Sequence, residues 1–122
     1  EITLLGALGG ARLEHTLANL ATGLYLAKNG VNVLLANERS ELRYLVPDRG
    51  LILQRRDWKY LSLFPMEGLL TGVCIRGAFY PLENAVLTAD YPLGVSNEFI
   101  ADTAQLQCSG GCGLVVLTRD DA

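Results

Sequence analysis

The sequence predicts a mainly β protein, in which one βα unit is followed by an antiparallel β-sandwich. Two patterns support this fold class. Apolar residues recur at helical spacing only near the start, every three or four residues from Leu13 to Leu24. From residue 31 onward, short apolar runs alternate with turn-forming residues, which is typical of a two-layer β protein. We therefore divide the 122 residues into two units, 1–30 and 31–122.

The βα unit begins with the unbroken apolar run Ile2–Leu5, a pattern typical of a strand that is covered on both faces. Its helix is expected to have about four turns and to stop at Asn29 and Gly30, since glycine favours the left-handed conformation at a helix end. No partner strand for Ile2–Leu5 is evident, and a single βα unit cannot form a parallel sheet. We therefore expect further βα units upstream of Glu1, which opens the sequence without an initiator methionine.

Eight short strands are predicted after the helix, separated by turns rich in Pro, Gly, Asn and Asp. Eight such strands need a second layer to cover their apolar faces, so a two-sheet antiparallel sandwich is expected. The predicted strands span residues 31–35, 42–46, 50–54, 60–64, 69–76, 85–88, 98–106 and 114–118.

Composition excludes several classes of protein. Half of the residues are hydrophobic and 19% are charged, so a disordered chain is not expected. No apolar run approaches the roughly 20 residues that span a bilayer, so we expect no membrane association. The net charge of −3 is scattered along the chain, which leaves no basic stretch for nucleic-acid binding.

Cysteine usage favours a reduced, cytoplasmic protein. The three cysteines, Cys74, Cys108 and Cys112, form no CxxC pair, and His15 is the one histidine that could join them at a metal. A hairpin disulfide between Cys108 and Cys112 remains an alternative, but reduced thiols are the preferred interpretation.

A glycine-rich turn between the first strand and the helix is the strongest chemical signal. Gly9 and Gly10 allow close backbone approach to a ligand, and the helix that follows directs its free N–H groups toward an anion. Arg12 offers a fork of donors for phosphate oxygens, and Glu14 offers a carboxylate for Mg²⁺. His15 could hydrogen-bond a nucleotide or simply cap the turn. The alternative is a parallel α/β connection that binds nothing, in which Glu14 merely complements the helix dipole.

The motif in this turn, Gly-Gly-Ala-Arg-Leu-Glu-His followed by Thr-Leu-Ala-Asn, resembles that of thiamine pyrophosphokinases. In that family a Gly-Gly-Arg-x-Asp-His segment lies at the ATP and magnesium side of the active site. Ala11 interrupts the family pattern here, and Glu14 replaces the aspartate. Five further segments match the family's C-terminal half in order and rough spacing: 59–65, 72–77, 79–84, 94–98 and 113–116.

The resemblance implies a transferase that moves the pyrophosphoryl group of ATP to thiamine, with Mg²⁺ as cofactor. It implies nucleotide binding by Gly9, Gly10, Arg12 and His15. Glu14 is then the metal ligand, and Glu14 and Arg12 are the catalytic residues. Segment 1–30 would be the end of the nucleotide-binding α/β domain.

The resemblance also implies that segment 31–122 is the thiamine-binding β-sandwich domain and that the protein is a homodimer. Tyr80 matches the aromatic residue that stacks on the thiamine pyrimidine. Ser96 and Asn97 match a loop whose hydroxyl and amide suit the polar edge of an aminopyrimidine. From the residues alone, Tyr80 could equally be a core or edge tyrosine, and the loop an Asx-type turn.

Most of the family's metal-binding acidic residues belong to the half that would lie upstream, so we expect the 122-residue chain to be inactive by itself. The alternative function is a non-catalytic β-sandwich that serves dimerisation or small-ligand binding.

Overall fold

The computed structural model describes residues 1–5, 13–90, 94 and 96–119. These residues form one helix and ten strands, and the mainly β fold class with a single βα unit is confirmed. The helix α1 spans Leu13–Lys28. The strands are β1 Ile2–Leu5, β2 Val33–Ala36, β3 Ser40–Leu45, β4 Leu51–Gln54, β5 Tyr60–Pro65, β6 Leu69–Arg76, β7 Leu82–Thr88, β8 Asn97–Glu98, β9 Thr103–Gln107 and β10 Gly113–Thr118.

The strands form two sheets. The larger has the order β1-β2-β3-β10-β5-β8, and the smaller has the order β4-β9-β6-β7. All pairings between these strands are antiparallel except that of β1 with β2, which is parallel and begins at Ile2 and Val33. The expectation that β1 finds no partner within the chain was therefore wrong, because α1 acts as a crossover that returns the chain beside β1. β1 and β2, which lie on either side of Gly30 in the sequence, thus belong to the same sheet. The domain boundary expected at residue 30 stays a prediction.

Two apolar clusters lie on opposite faces of the six-stranded sheet. The sandwich core fills the space between the two sheets, and its fully buried members include Leu63, Val73 and Leu106. The second cluster lies between the larger sheet and α1, around Leu35 and Tyr44. The structure thus has three layers, with a helix, a six-stranded sheet and a four-stranded sheet.

A close contact between α1 and β3 fixes the helix on the sheet. The Tyr44 hydroxyl donates a hydrogen bond of 2.6 Å to the carbonyl oxygen of Leu20. A Cβ atom at Gly23 would lie 2.5 Å from the Tyr44 hydroxyl oxygen, so this helix position requires glycine. Leu13 and Leu17 share the apolar spacing of Leu20 but are exposed. The helix therefore packs on the sheet through its C-terminal half.

The predicted strand 98–106 was wrong as one element, because the chain turns there from one sheet to the other. β8 belongs to the six-stranded sheet and β9 to the four-stranded sheet. Between them, Ile100 N–H donates to the carbonyl oxygen of Gly77 at 3.0 Å, and Arg55 N–H donates to that of Asp102 at 2.8 Å. This corner brings residues 77–80 and 96–98 together at one edge of the larger sheet.

The 16-residue α1 is too short and too polar to cross a bilayer, and the described part of the chain holds no other helix.

Candidate functional site

The side chain of Asn97 holds the backbone of Tyr80 in place. Its Nδ2 group donates to the Tyr80 carbonyl oxygen at 2.7 Å, and its Oδ1 atom accepts from Tyr80 N–H at 2.9 Å. Oδ1 also accepts from Glu98 N–H at 3.0 Å. Asn97 is 4% exposed, so these bonds form away from water and are expected to be well ordered. Two residues that the sequence separates by 17 positions thus form one unit.

These bonds limit what Asn97 can offer a ligand. An amide oxygen has two lone pairs, and both are used by backbone N–H groups of Tyr80 and Glu98. The Nδ2 group has two hydrogens, one of which is bound to the Tyr80 carbonyl oxygen. At most one N–H donor is left for a ligand, so the main role of this residue is to position Tyr80.

Ser96 precedes Asn97 and is exposed, with its backbone in the left-handed region at a φ of 60°. Its N–H donates to the hydroxyl of Ser62 at 2.8 Å. Gly94 approaches β5 closely, because its carbonyl oxygen accepts from Leu63 N–H at 2.9 Å. The loop is therefore fixed to β5 on both sides of residue 95, and the Ser96 side chain is left accessible.

Tyr80 and Phe79 form an exposed aromatic pair beside this loop. Their ring centroids lie 4.8 Å apart at an interplanar angle of 84°, an edge-to-face arrangement. The Tyr80 side chain is 64% exposed. Phe79 N–H donates to the carbonyl oxygen of Glu98 at 2.7 Å, which anchors the pair to β8. The site thus presents an aromatic surface, formed by the edge-to-face Phe79 and Tyr80 rings, beside the loop that carries the exposed Ser96. An exposed ring near a polar side chain suits a planar heterocycle with a polar edge.

Gly77 begins the segment that leads to Phe79 and Tyr80, and its position requires glycine. It has a φ of 83°, and a Cβ atom there would clash with the carbonyl oxygen of Thr103. A left-handed conformation and a close backbone approach both favour glycine.

The residues predicted for nucleotide binding fall in two groups. Gly9, Gly10 and Arg12 lie outside the described residues. Glu14 and His15 lie in the first turn of α1 and are exposed.

The first turn of α1 and the aromatic surface lie on different parts of the fold. The helix packs over β2 and β3, whereas Asn97 belongs to β8 at the far edge of the same sheet. β3 and β8 are three strand intervals apart, which corresponds to about 14 Å.

Among the described residues, no three His, Cys, Asp or Glu side chains lie close enough together to hold a metal ion. The role of Glu14 as a magnesium ligand therefore stays a prediction, and it would be one ligand rather than a complete site. Cys74, Cys108 and Cys112 are free thiols. Burial raises the pKa of Cys112 to about 11, so its thiol is protonated at neutral pH.

A cavity of about 380 Å³ lies at the C-terminal end of α1. Its lining includes Lys28, Arg49, Glu67 and Cys112 but none of the predicted site residues.

Comparison with known proteins places this geometry in a family. Residues 51–114, just over half of the chain, match the family model described as "Thiamin pyrophosphokinase, vitamin B1 binding domain". The chain belongs to the thiamin pyrophosphokinase family. The matched range contains the whole Tyr80, Ser96 and Asn97 unit, so the predicted thiamine-site residues all lie within the vitamin B1 binding domain.

Individual relatives agree with this assignment. Thiamine pyrophosphokinase of Bacillus subtilis is 24% identical over 119 residues, which is 98% of this chain and 55% of the relative. Its crystal structure superposes with a TM-score of 0.89 at 22% identity, covering 97% of this chain and 55% of that chain. Thiamin pyrophosphokinase from Geobacillus thermodenitrificans gives a TM-score of 0.88 at 24% identity, covering 98% and 54%. These structures show the same fold, and the chain spans about half the length of each relative.

Sequence reasoning missed two contributors to the site. Phe79 and Ser62 lie within segments that matched the family, yet neither was assigned a role. Ser62 is a polar residue in an apolar strand, and such a buried hydroxyl usually has a specific hydrogen-bond partner. That rule could have identified Ser62, whereas the pairing of Phe79 with Tyr80 needed the structure.

Proposed function

We propose that this chain forms the thiamine side of a thiamine pyrophosphokinase active site. The observation that carries the proposal is the pair of hydrogen bonds from the Asn97 side chain to the Tyr80 backbone. They fix the position of the exposed Tyr80 near Ser96, within the range that matches a vitamin B1 binding domain. The pyrimidine ring of thiamine lies against the Tyr80 ring, and the Ser96 hydroxyl bonds to the polar edge of the pyrimidine. Asn97 adds at most one N–H donor and otherwise keeps Tyr80 in place.

The proposed reaction transfers the pyrophosphoryl group of ATP to the hydroxyethyl oxygen of thiamine. Arg12 and the Gly9-Gly10 turn would bind phosphate oxygens, and His15 would contact the nucleotide. Glu14 would be one ligand of Mg²⁺, which neutralises charge on the transferring phosphates when bound. The contribution of this chain is to hold thiamine so that its hydroxyl faces the nucleotide.

A homodimer belongs to the same proposal. The strand under α1 and the strand that carries Asn97 are three strand intervals, about 14 Å, apart in the sheet, which supports a site that a second copy completes. A second copy could bring its own nucleotide side to Tyr80. Because the chain spans about half the length of its relatives, and the described residues hold no cluster of metal-binding side chains, we also propose that the 122-residue chain alone is inactive. The free thiols Cys74, Cys108 and Cys112 are in keeping with a cytoplasmic location.

Titration calorimetry of the complete protein with thiamine tests the proposal. Tyr80→Ala should weaken binding by about 1 kcal/mol, or about fivefold, because the aromatic stack is lost. Tyr25→Ala is a matched control, since Tyr25 is a similarly exposed tyrosine on α1 at 67%. Equal thiamine affinity in the Tyr80→Ala and Tyr25→Ala proteins would contradict the proposed stacking.

A further inference from the structure

The buried polar side chains of this protein lie at the candidate site. Among the residues that the structure describes, Ser62 and Asn97 are the two that are polar and buried, at 9% and 4% exposure. Asn97 bonds to the backbone of Tyr80, and the Ser62 hydroxyl accepts the 2.8 Å bond from Ser96 N–H. A polar group away from water costs free energy unless it is hydrogen-bonded, so both side chains depend on their partners in the site.

Ser62 occupies a position at which packing favours an apolar residue. Its neighbours in β5, Leu61 and Leu63, belong to the sandwich core. Because side chains alternate along a strand, Ser62 faces the other side of the larger sheet, in register with Val116 of β10. Val116 packs against the apolar cluster under α1. The bond to Ser96, rather than packing, therefore accounts for a hydroxyl at this position.

The bond lies where the regular pairing of β5 with β8 ends. Leu61 pairs with Asn97, and Leu63 N–H donates to the carbonyl oxygen of Gly94. Between these two contacts β5 advances by two residues, whereas the facing segment advances by three. One extra residue on one side of an antiparallel pair is the mark of a β-bulge, which redirects side chains and is frequent beside binding sites.

Ser96 needs support for its backbone conformation. Its φ of 60° lies in the left-handed region, which residues other than glycine seldom occupy. Such conformations persist where the surrounding structure imposes them. The bond from Ser96 N–H to the Ser62 hydroxyl holds the backbone in this conformation. The direction in which the exposed Ser96 side chain leaves the chain therefore depends on Ser62.

We propose that Ser62 is a positioning residue for ligand binding, whose hydroxyl orients Ser96 so that the Ser96 hydroxyl meets the polar edge of the pyrimidine. The inference rests on the proposed thiamine site. Ser62 is buried and bonds to the backbone of Ser96, so it acts on the ligand through Ser96. Loss of the Ser62 hydroxyl should remove the contribution of Ser96 to binding and leave the stacking on Tyr80 intact.

Calorimetry of the complete protein with thiamine tests this dependence in a double-mutant cycle. Ser62→Ala and Ser96→Ala should each weaken binding about fivefold, because one hydrogen bond to the ligand is lost. The double variant should bind no more weakly than Ser96→Ala, since the two residues act through one contact. Ser40→Ala removes a serine hydroxyl from β3 of the same sheet and is the control, with thiamine affinity equal to that of the wild type.

A second ligand separates positioning from a general effect on the site. A thiamine analogue with a phenyl ring in place of the aminopyrimidine keeps the aromatic face and lacks the polar edge. It should bind equally to the wild-type and Ser62→Ala proteins, because it makes no bond to Ser96 in either. Ser62→Thr keeps the hydroxyl and should retain the wild-type preference for thiamine over the analogue.

Three results would overturn the inference. Wild-type thiamine affinity in Ser62→Ala, together with weaker binding in Ser96→Ala, would remove Ser62 and leave the thiamine site standing. Equal weakening of thiamine and the phenyl analogue in Ser62→Ala would mean a general effect on the site. Failure of the wild-type protein to bind thiamine would refute the proposed site and this inference with it. If Ser62→Ala does not fold, Ser62→Cys serves in the same comparison, because a thiol is a weak acceptor.

Discussion

Replacing Asn97 by Ala tests whether this residue positions Tyr80 or contacts the ligand. The substitution removes three hydrogen bonds, of 2.7, 2.9 and 3.0 Å, from a side chain that is 4% exposed. Each such bond contributes about 1 kcal/mol net, which gives an upper value of about 3 kcal/mol. Water can reach the Tyr80 backbone once the side chain is gone, so we expect a loss of about 2 kcal/mol.

Urea denaturation and thiamine calorimetry on the same Asn97→Ala protein separate the two roles. The free energy of unfolding should fall by about 2 kcal/mol, and thiamine affinity should fall about fivefold because the Tyr80 ring loses its position. Ser96→Ala is the contrasting variant, since its exposed hydroxyl should affect thiamine binding but not unfolding. An Asn97→Ala protein with wild-type stability and lost thiamine affinity would refute the positioning role.

Three further predictions concern the helix, alkaline pH and the metal ligand. Gly23→Ala should lower the free energy of unfolding by about 1–3 kcal/mol, because its Cβ atom would meet the Tyr44 hydroxyl; wild-type stability in denaturant would argue against this contact. Burial raises the pKa of Cys112 from 9.0 to about 11 and that of Tyr44 from 10.0 to about 12, so the unfolded chain loses these protons first. The free energy of unfolding should therefore be constant below about pH 9 and should fall as the pH rises toward about 12. A free energy of unfolding that does not change over this range would contradict the prediction, as would a Tyr44→Phe protein that loses stability between about pH 10 and 12 as the wild type does. Glu14→Gln in the complete enzyme should lower kcat and leave thiamine binding nearly unchanged, and excess Mg²⁺ should partly restore kcat. Wild-type turnover at limiting Mg²⁺ would mean that Glu14 only complements the helix dipole.

The sequence predicted much of the fold because local patterns determine it. Short apolar runs between turn residues mark strands such as β4 Leu51–Gln54, and glycine at position 30 marks the end of the helix. The sequence did not reveal the parallel pairing of β1, since that contact forms only after α1 has crossed the sheet. The corner after β8 was missed for a related reason. Residues 98–106 form one continuous run of strand-forming residues in the sequence. Nothing in this run marks the point at which the chain passes from the larger sheet to the smaller one.

The candidate site was predicted only in part. The resemblance selected Tyr80, Ser96 and Asn97, and the structure brings them to one edge of the larger sheet. The role of Asn97 could not be predicted, because its partners are backbone atoms of a residue 17 positions away. The position of residues 55–57 beside β8 could not be predicted either, since it depends on the pairing of Tyr60 with Glu98.

A crystal structure of the complete protein with bound thiamine is the most direct test of the central claim. The account predicts the pyrimidine ring in contact with the Tyr80 ring, with its polar edge within hydrogen-bond distance of the Ser96 hydroxyl. The Asn97 bonds to the Tyr80 backbone should be unchanged. Thiamine bound elsewhere, such as in the cavity at the C-terminal end of α1, with Tyr80 free of ligand, would contradict the account.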